Sequence, residues 1–295
     1  MIRTLLVVCS LIPICSIAQS ELAEYSDLSY LPENQVEVDS LQRLNLVLPE
    51  GIKDAPLFVW IGGGAWSVVN RHQEMGVARE IAKEGIAVAS IGHRLSAATW
   101  IRPELDHGVQ YPAHVQDLAA AIKWLYDNAD EYGYDRDRIY VGGFSSGARL
   151  SAMVALDPQY LEAHGLSTDI IKGLVPVSGG YDIPQYREVL GGDPEYAHLQ
   201  DQHVDAVFGE TQEEWEFASP TKYLENLSAP WLMLADNDVH VYNTYFETYL
   251  RENSDFRDIE IIYVYSKSHA ELWRDIAGDA QSVYRDRIVE FITSG

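Results

Sequence analysis

The chain has 295 residues, 47% of them hydrophobic and 11% aromatic, which is enough apolar surface to offset chain entropy and excludes an intrinsically disordered protein. Its 21 Lys and Arg face 45 Asp and Glu, a formal charge of -24, so a phosphate backbone or an anionic bilayer surface would repel it. Neither nucleic acid nor an anionic membrane is therefore an expected partner.

The first residues read as an export signal. Met1-Ile2-Arg3 is a short positive start, Thr4 to Ile14 is almost wholly apolar, and Ser16-Ile17-Ala18 offers small residues to a signal peptidase. The apolar run is well short of the ~20 residues that a spanning helix needs. The expectation is a signal over residues 1–18, cleaved before Gln19, and a secreted or periplasmic protein with no stable membrane insertion afterwards. Cys9 and Cys15 both fall inside this segment, so the mature chain is expected to hold no disulfide, no thiol nucleophile and no cysteine-bound metal. Ile14 is too large to precede a lipidated Cys15.

A polar leader, residues 19–33, follows. From there to residue 295 strand-like and helix-like segments alternate, as in a single domain. Leu44 to Leu48, Leu57 to Ile61 and Ile86 to Ile91 read as strands, the last two as continuous apolar runs suited to burial on both faces. His72 to Glu84 reads as a helix closed by Gly85, and Pro112 opens a helix to about Asn128 with Val115, Leu118, Ile122 and Leu125 on one face. Arg138 to Val141 reads as a strand and Ser146 to Leu156 as a helix. Leu174 to Val177, Trp231 to Ala235 and Ile259 to Tyr265 are further strands, and Tyr242 to Arg251 and Glu271 to Ile292 further helices. This order predicts a mostly parallel sheet covered by helices on both faces. Strand signals vanish near 184–221, where Gly, Asp, Glu, His and Gln accumulate; this segment reads as a small insertion over the sheet's edge, a candidate lid.

The sharpest motif is Gly143-Phe144-Ser145-Ser146-Gly147, which follows a strand and opens a helix. A serine at such a turn is held in a strained backbone with its oxygen exposed above the sheet, and the helix N-terminus behind it favours negative charge. Ser145 is the expected nucleophile; Ser146 falls one place beyond the apex. Gly62-Gly63-Gly64-Ala65-Trp66 follows a buried strand one unit earlier, and small residues there let main-chain N–H groups approach a developing oxyanion. A serine nucleophile needs an imidazole to take its proton and a carboxylate to hold that imidazole's tautomer. His269 lies between the last strand and the helix after it, and Asp238 follows the strand Trp231 to Ala235, giving the chain order serine, acid, histidine. Asp236, nearer the strand end, is the rival acid. His240 is the rival base, but it stands too close in sequence to Asp238 to receive it from a neighbouring loop.

On these residues the chain resembles the α/β-hydrolase esterase and lipase family, in particular the branch that holds feruloyl and acetyl esterases, carboxylesterases and kynurenine formamidases. The resemblance runs from about Leu44 to the C-terminus, through Ile61 to Trp66, His93-Arg94-Leu95-Ser96, Tyr111 to Asp117, Asp135 to Gly147, Ser219-Pro220 and the loops of Asp238 and His269. It implies Ser145, Asp238 and His269 as the catalytic triad. It also implies oxyanion N–H groups from Gly64, Ala65 and Ser146, structural roles for Arg94 and Asp117, and no cofactor or metal. The chain departs from the family in having Gly62 where a histidine usually steadies the oxyanion loop, His93 where tyrosine is common, and Phe144 where histidine is frequent.

The expected function is a secreted serine carboxylesterase acting on a small-molecule or polysaccharide ester, such as an acetyl or feruloyl ester, in keeping with a strongly acidic protein. An amidase or formamidase with the same triad, and a non-catalytic binding protein on the same fold, are the alternatives. A metal-dependent hydrolase lacks its signature, since no H-E-x-x-H occurs and His198 and His203 are off the shared helical face. Trp66, Trp100, Tyr181 and Trp273 are candidates either for an aromatic pocket or for the core.

Overall fold

The apolar runs of the sequence become an eight-stranded sheet in the order β1-β2-β4-β3-β5-β6-β7-β8. The structure is a computed structural model that describes residues 21–32 and 41–295. The predicted export signal and both cysteines lie outside the described residues. The strands are β1 Leu22–Ser29, β2 Arg43–Pro49, β3 Ala55–Ile61, β4 Ala87–Ile91, β5 Tyr134–Phe144, β6 Ile171–Val177, β7 Trp231–Asp236 and β8 Ile259–Val264. The β1–β2 and β2–β4 pairs are antiparallel; every later pair is parallel.

Alternation along β3 shows how the sheet is covered. Leu57, Val59 and Ile61 face one apolar cluster, with Val115, Leu118 and Ile122 of the Ala113–Asp127 helix and Leu150 and Met153 of the Ser146–Leu156 helix. Phe58 and Trp60 face the other, with Val77 and Ile81 of the Met75–Ala82 helix, Leu272 and Ile276 of the His269–Gly278 helix, and Ile288 and Ile292 of the Val283–Thr293 helix. A strand with no exposed face has no polar alternation to show, so β3 and β4 read as uninterrupted apolar runs.

Two elements differ from the sequence reading. Within the expected polar leader, Leu22–Ser29 is an edge strand, paired to β2. Its central residues are exposed, so its signal is not hydrophobic; main-chain pairing and the two hydrogen bonds from Arg79 to Glu24, at 2.6 and 2.8 Å, hold it. The expected long C-terminal helix is two helices, His269–Gly278 and Val283–Thr293, because Ser282 caps the second by accepting from the Arg285 N–H. Segment 184–221, the expected insertion, packs as a wall of short helical turns, with Val204, Val207 and Phe208 buried in the apolar core.

The chain builds β3 and β4 on one side and then crosses to β5 on the other, so β3 is flanked by both. Ligands of open parallel sheets bind at such a crossing, beyond the strand C-termini. Here the crossing is very tight: a Cβ on Gly147 would stand 2.2 Å from the Ile61 carbonyl oxygen, and one on Gly143 2.6 Å from the same atom. Only glycine lets the turn after β5 approach the end of β3 this closely. Gly147→Ala is therefore expected to lower folding stability by at least about 2 kcal/mol, the scale of core overpacking. Urea denaturation checks it, as a lower midpoint at an unchanged slope.

Candidate active site

Ser145 sits between β5 and the Ser146–Leu156 helix with φ 55° and ψ -116°, a region that non-glycine residues rarely occupy. Such a conformation costs about 1–3 kcal/mol and persists only where the surroundings fix it. Here the Ser145 N–H donates to the Val177 carbonyl at 2.8 Å, and the close approach at Gly147 pins the other side. Ser145 is half-buried. The neighbouring Ser146 is 3% exposed, and its buried hydroxyl has no hydrogen-bond partner among the described residues; it lies one place past the strained turn and lines the larger of the two cavities described below.

The loop after β3 runs through three consecutive positive φ angles: Gly64 at 138°, Ala65 at 53° and Trp66 at 59°. Alanine and tryptophan are strained there, and a dense set of bonds holds them. Ser67 N–H and Val68 N–H both donate to the Gly64 carbonyl at 2.9 Å, the Ser67 hydroxyl reaches the Ala65 and Ala97 carbonyls, and Ser96 N–H donates to the Trp66 carbonyl. The Ala65 N–H donates to no acceptor among the described residues, and the Ser146 N–H is one of the orphan donors of a helix N-terminus.

His269 opens its helix. Ser268 caps it reciprocally with Glu271, which fixes where the imidazole leaves the backbone. The ring packs on Phe144, centroids 4.4 Å apart, and Nδ1 lies 2.7 Å from Oδ2 of Asp236. An ionised carboxylate only accepts, so Nδ1 carries the proton and Nε2 is the basic nitrogen. Nε2 has no partner among the described residues.

The acid is a correction to the sequence expectation. Asp236, not Asp238, meets the imidazole. Asp236 is the last residue of β7, 0% exposed, and the sheet delivers it beneath His269. Its Oδ1 accepts from the Asp238 and Val239 N–H groups at 2.9 and 3.2 Å, so the chain folds back over its carboxylate. That turn sends the Asp238 side chain outward, where it accepts from the His269 main-chain N–H at 2.8 Å. Burial alone would raise the Asp236 carboxyl. The hydrogen bonds from His269 and Ser178, the charge of the imidazole and the Asp238 N–H outweigh it and hold the carboxyl below its ordinary value. His240 is exposed, turned to the Asn237 carbonyl and the Tyr265 ring, and takes no part.

Two cavities meet at Ser145. One, of about 410 Å³, is lined by Gly64, Glu74, Trp100, Phe144 and Trp273; the other, of about 550 Å³, by Trp66, Tyr186, Leu190, Tyr196 and Tyr242. Ala65, Ser145 and His269 line both, which brings nucleophile and base into one place. Of the four candidate pocket aromatics, Trp66, Trp100 and Trp273 line a cavity, whereas Tyr181 is core at 1% exposed.

Two further residues have no sequence motif. Ser178, after β6, holds a positive φ of 56°, and its oxygen accepts from the Asp236 N–H at 3.3 Å, so it braces the acid. Glu74 is 4% exposed beside the smaller cavity, and burial pushes its carboxyl up against the opposing effect of two indole hydrogen bonds. As the resemblance implied, Arg94 and Asp117 brace each other: the Arg94 N–H and guanidinium both donate to the buried Asp117 carboxylate. Among the described residues no three His, Cys, Asp or Glu side chains gather as a cation site, and no helix is long and apolar enough to cross a membrane.

This sheet order, with a strained serine beyond β5 and a histidine–carboxylate pair beyond β7 and β8, is that of the α/β-hydrolases. Within them the chain belongs to the BD-FAE family, which it matches over residues 44–245. It is similar to Esterase LipC of Mycobacterium tuberculosis, 36% identical over 44% of this chain and 31% of LipC. It is also similar to Esterase LipQ of the same organism, 27% identical over 72% of this chain and 48% of LipQ. The chain thus spans about a third to a half of the length of these curated relatives. Among solved structures, Esterase B from Lactobacillus rhamnosis superposes with a TM-score of 0.72 at 17% identity, covering 94% of this chain and 87% of that one. A truncated carbohydrate esterase from gut microbiota gives 0.70 at 19%, covering 94% and 96%.

Asp236→Asn is expected to slow phosphonylation of Ser145 by a p-nitrophenyl phosphonate roughly 10³- to 10⁴-fold, since the amide favours the wrong tautomer. Asp238→Asn leaves the rate within about fivefold, because its amide oxygen still accepts from the His269 N–H and only an exposed charge is lost. Asp236→Asn also reports on acid stability. The folded Asp236 carboxyl titrates below its unfolded value of about 3.9, so its charge adds stability that is present above that pH and lost as pH falls through the folded value. Urea midpoints at about pH 6 and pH 3 are expected to converge for wild type and Asp236→Asn as pH falls.

Proposed function

We propose that the protein is a serine carboxylesterase. The observation that supports this most directly is the 2.7 Å bond between the buried Asp236 carboxylate and His269 Nδ1, in a site where His269 and the strained Ser145 line the same two cavities. Those cavities give an ester two rooms, one for the acyl group and one for the alcohol, on either side of the nucleophile.

In this reading Ser145 Oγ attacks the ester carbonyl carbon while His269 Nε2 takes its proton, and Asp236 steadies the imidazolium. The carbonyl oxygen becomes an oxyanion facing the N–H groups of Ala65 and Ser146, with Gly64 beside them. Donors fixed before the reaction are worth about 3–4 kcal/mol each. The many bonds that hold the Gly64–Trp66 turn supply the rigidity that the Gly62 substitution puts in question. The intermediate expels the alcohol, which leaves with the proton from His269. Water then attacks the acyl-enzyme with His269 as base, and the carboxylic acid is released as Ser145 recovers its proton.

The polar edges and aromatic walls of both cavities suit a small or aromatic acyl group and a hydroxyl-bearing alcohol. The likeness to a carbohydrate esterase of gut microbiota supports the same choice. Acetyl or feruloyl esters of polysaccharides are therefore the proposed substrates, and the signal-like pattern of residues 1–18 supports export to where such polymers lie.

The test is turnover of p-nitrophenyl acetate, methyl ferulate, acetylated xylo-oligosaccharides and an N-formyl arylamide by the purified protein. The esters are expected to turn over and the formylamide to lag by at least about tenfold, while Ser145→Ala lowers kcat by at least about 10⁴. Undiminished activity in Ser145→Ala sinks the nucleophile assignment.

A further inference from the structure

Glu74 stands at a junction that the triad does not use. It occupies the cap position before the Met75–Ala82 helix, but its side chain makes no capping bond. It turns inward instead, and Oε2 accepts from two indoles, Trp60 Nε1 at 2.8 Å and Trp273 Nε1 at 3.2 Å. Trp60 is the penultimate residue of β3, 0% exposed, immediately before the oxyanion loop. Trp273 lies four residues after His269 on the same helix, one turn along and on the same face. The carboxyl thus joins the strand that supports the oxyanion donors to the helix that supports the base.

Gly62 shows how closely this junction is fitted. A Cβ there would stand 2.8 Å from Glu74 Cγ, 2.8 Å from Oε1 and 2.9 Å from Cδ, so the carboxyl group lies over the glycine and fills the space a side chain would take. The two helices are packed at the same level: a Cβ on Gly76 would meet the Ala277 carbonyl oxygen at 2.8 Å. A buried carboxyl that accepts from two indole donors ties the fully buried Trp60 to the half-buried Trp273, and the Trp60 N–H would be left buried without an acceptor if it were lost.

We propose that Glu74 is a positioning residue for ester hydrolysis, holding the His269 helix in register with the oxyanion loop through Trp273 and Trp60, a role that rests on the esterase reading. Its carboxyl bonds to the two indoles and makes no hydrogen bond to the imidazole. Its effect is on the distance between base, nucleophile and oxyanion donors, where a shift on the order of 1 Å is enough to cost up to a hundredfold in rate.

The experiment is steady-state kinetics on p-nitrophenyl acetate, per active site titrated with a phosphonate, for Glu74→Ala, Glu74→Gln, Trp273→Phe and the double variant Glu74→Ala/Trp273→Phe. Trp273→Phe keeps an aromatic ring at the cavity wall while removing the indole N–H and the second ring. Positioning predicts that Glu74→Ala and Trp273→Phe each lower kcat about tenfold with KM within about twofold. It further predicts that the double variant loses little more than either single one, and that Glu74→Gln, whose amide oxygen still accepts, recovers most of the loss. Gly62→Ala lowers kcat in the wild-type background and much less once Glu74 is alanine. Unchanged kcat in correctly folded Trp273→Phe, additive losses in the double variant, or a rise in KM alone overturns the proposal. If Glu74→Ala does not fold, Trp273→Phe and Gly62→Ala still decide it. Wild-type turnover that Ser145→Ala abolishes establishes the esterase reading separately, so failure of the Glu74 series then falls on this proposal alone. A wild-type protein with no ester turnover overturns both.

Discussion

The site depends on one backbone approach, that of the Gly147 turn to the Ile61 carbonyl oxygen. Two strand ends from different parts of the chain can stand that close only if neither has a side chain in the gap. Once they do, much else follows. The helix behind Ser145 is pressed against β3, Ser145 is forced into its positive φ, and the loop that leaves Ile61 has to pass directly beside the serine oxygen. Donors and nucleophile are therefore neighbours because of a steric constraint in the scaffold. The strain at Ser145, Ala65 and Trp66 is supported by the buried sheet beneath.

The sequence made this part of the molecule readable. Glycines around a serine, after an apolar run and before a helical pattern, have few other uses, and β3, β4 and the Ser146–Leu156 helix stand where the pattern puts them. The acid was harder to read. Asp236 and Asp238 are both carboxylates just past an apolar run, and periodicity does not say at which residue the strand ends. The answer depends on one more ladder position, the pairing of Asp236 with Val264, and on the turn in which Asp236 accepts from the N–H groups of the residues after it. An aspartate followed closely by a second one and a helix start is a turn signal in its own right. Read that way, Asp236 is the residue that turns the chain and Asp238 the one turned outward.

Other features left no trace in local sequence for physical reasons. β1 is held by its edge pairing and by an arginine 55 residues away, so its own composition is that of a leader. Glu74 looks like one more acidic residue among 45, and only the tertiary structure shows that it meets two indoles and a glycine. Gly62 was legible as a departure from the family pattern but not as half of a pair. The space beside Gly62 is filled by the Glu74 carboxyl, and a single sequence shows such a pair only as two separate oddities.

The insertion between β6 and β7 completes the argument, because its placement also rests on a buried cation. Arg149, on the helix behind Ser145, is 0% exposed and pairs with no carboxylate among the described residues; burial pushes its guanidinium down to about 10, so it remains charged at neutral pH. A buried charge without a counter-ion is costly. Here the cost is offset in part by the faces of Phe208, Tyr111 and Trp66, at 4.4, 5.0 and 5.4 Å from the guanidinium carbon, and by a hydrogen bond to the Ala218 carbonyl. Phe208 and Ala218 belong to the insertion, and Trp66 belongs to the oxyanion loop. One cation therefore joins the nucleophile helix, the oxyanion loop and the segment that brings Tyr186, Leu190 and Tyr196 to the larger cavity. His203 packs into the same cluster against Trp66, Trp100 and Tyr186. A segment anchored through the catalytic helix itself is part of the active-site wall, and the shape of the larger cavity is then set by the same core that holds Ser145.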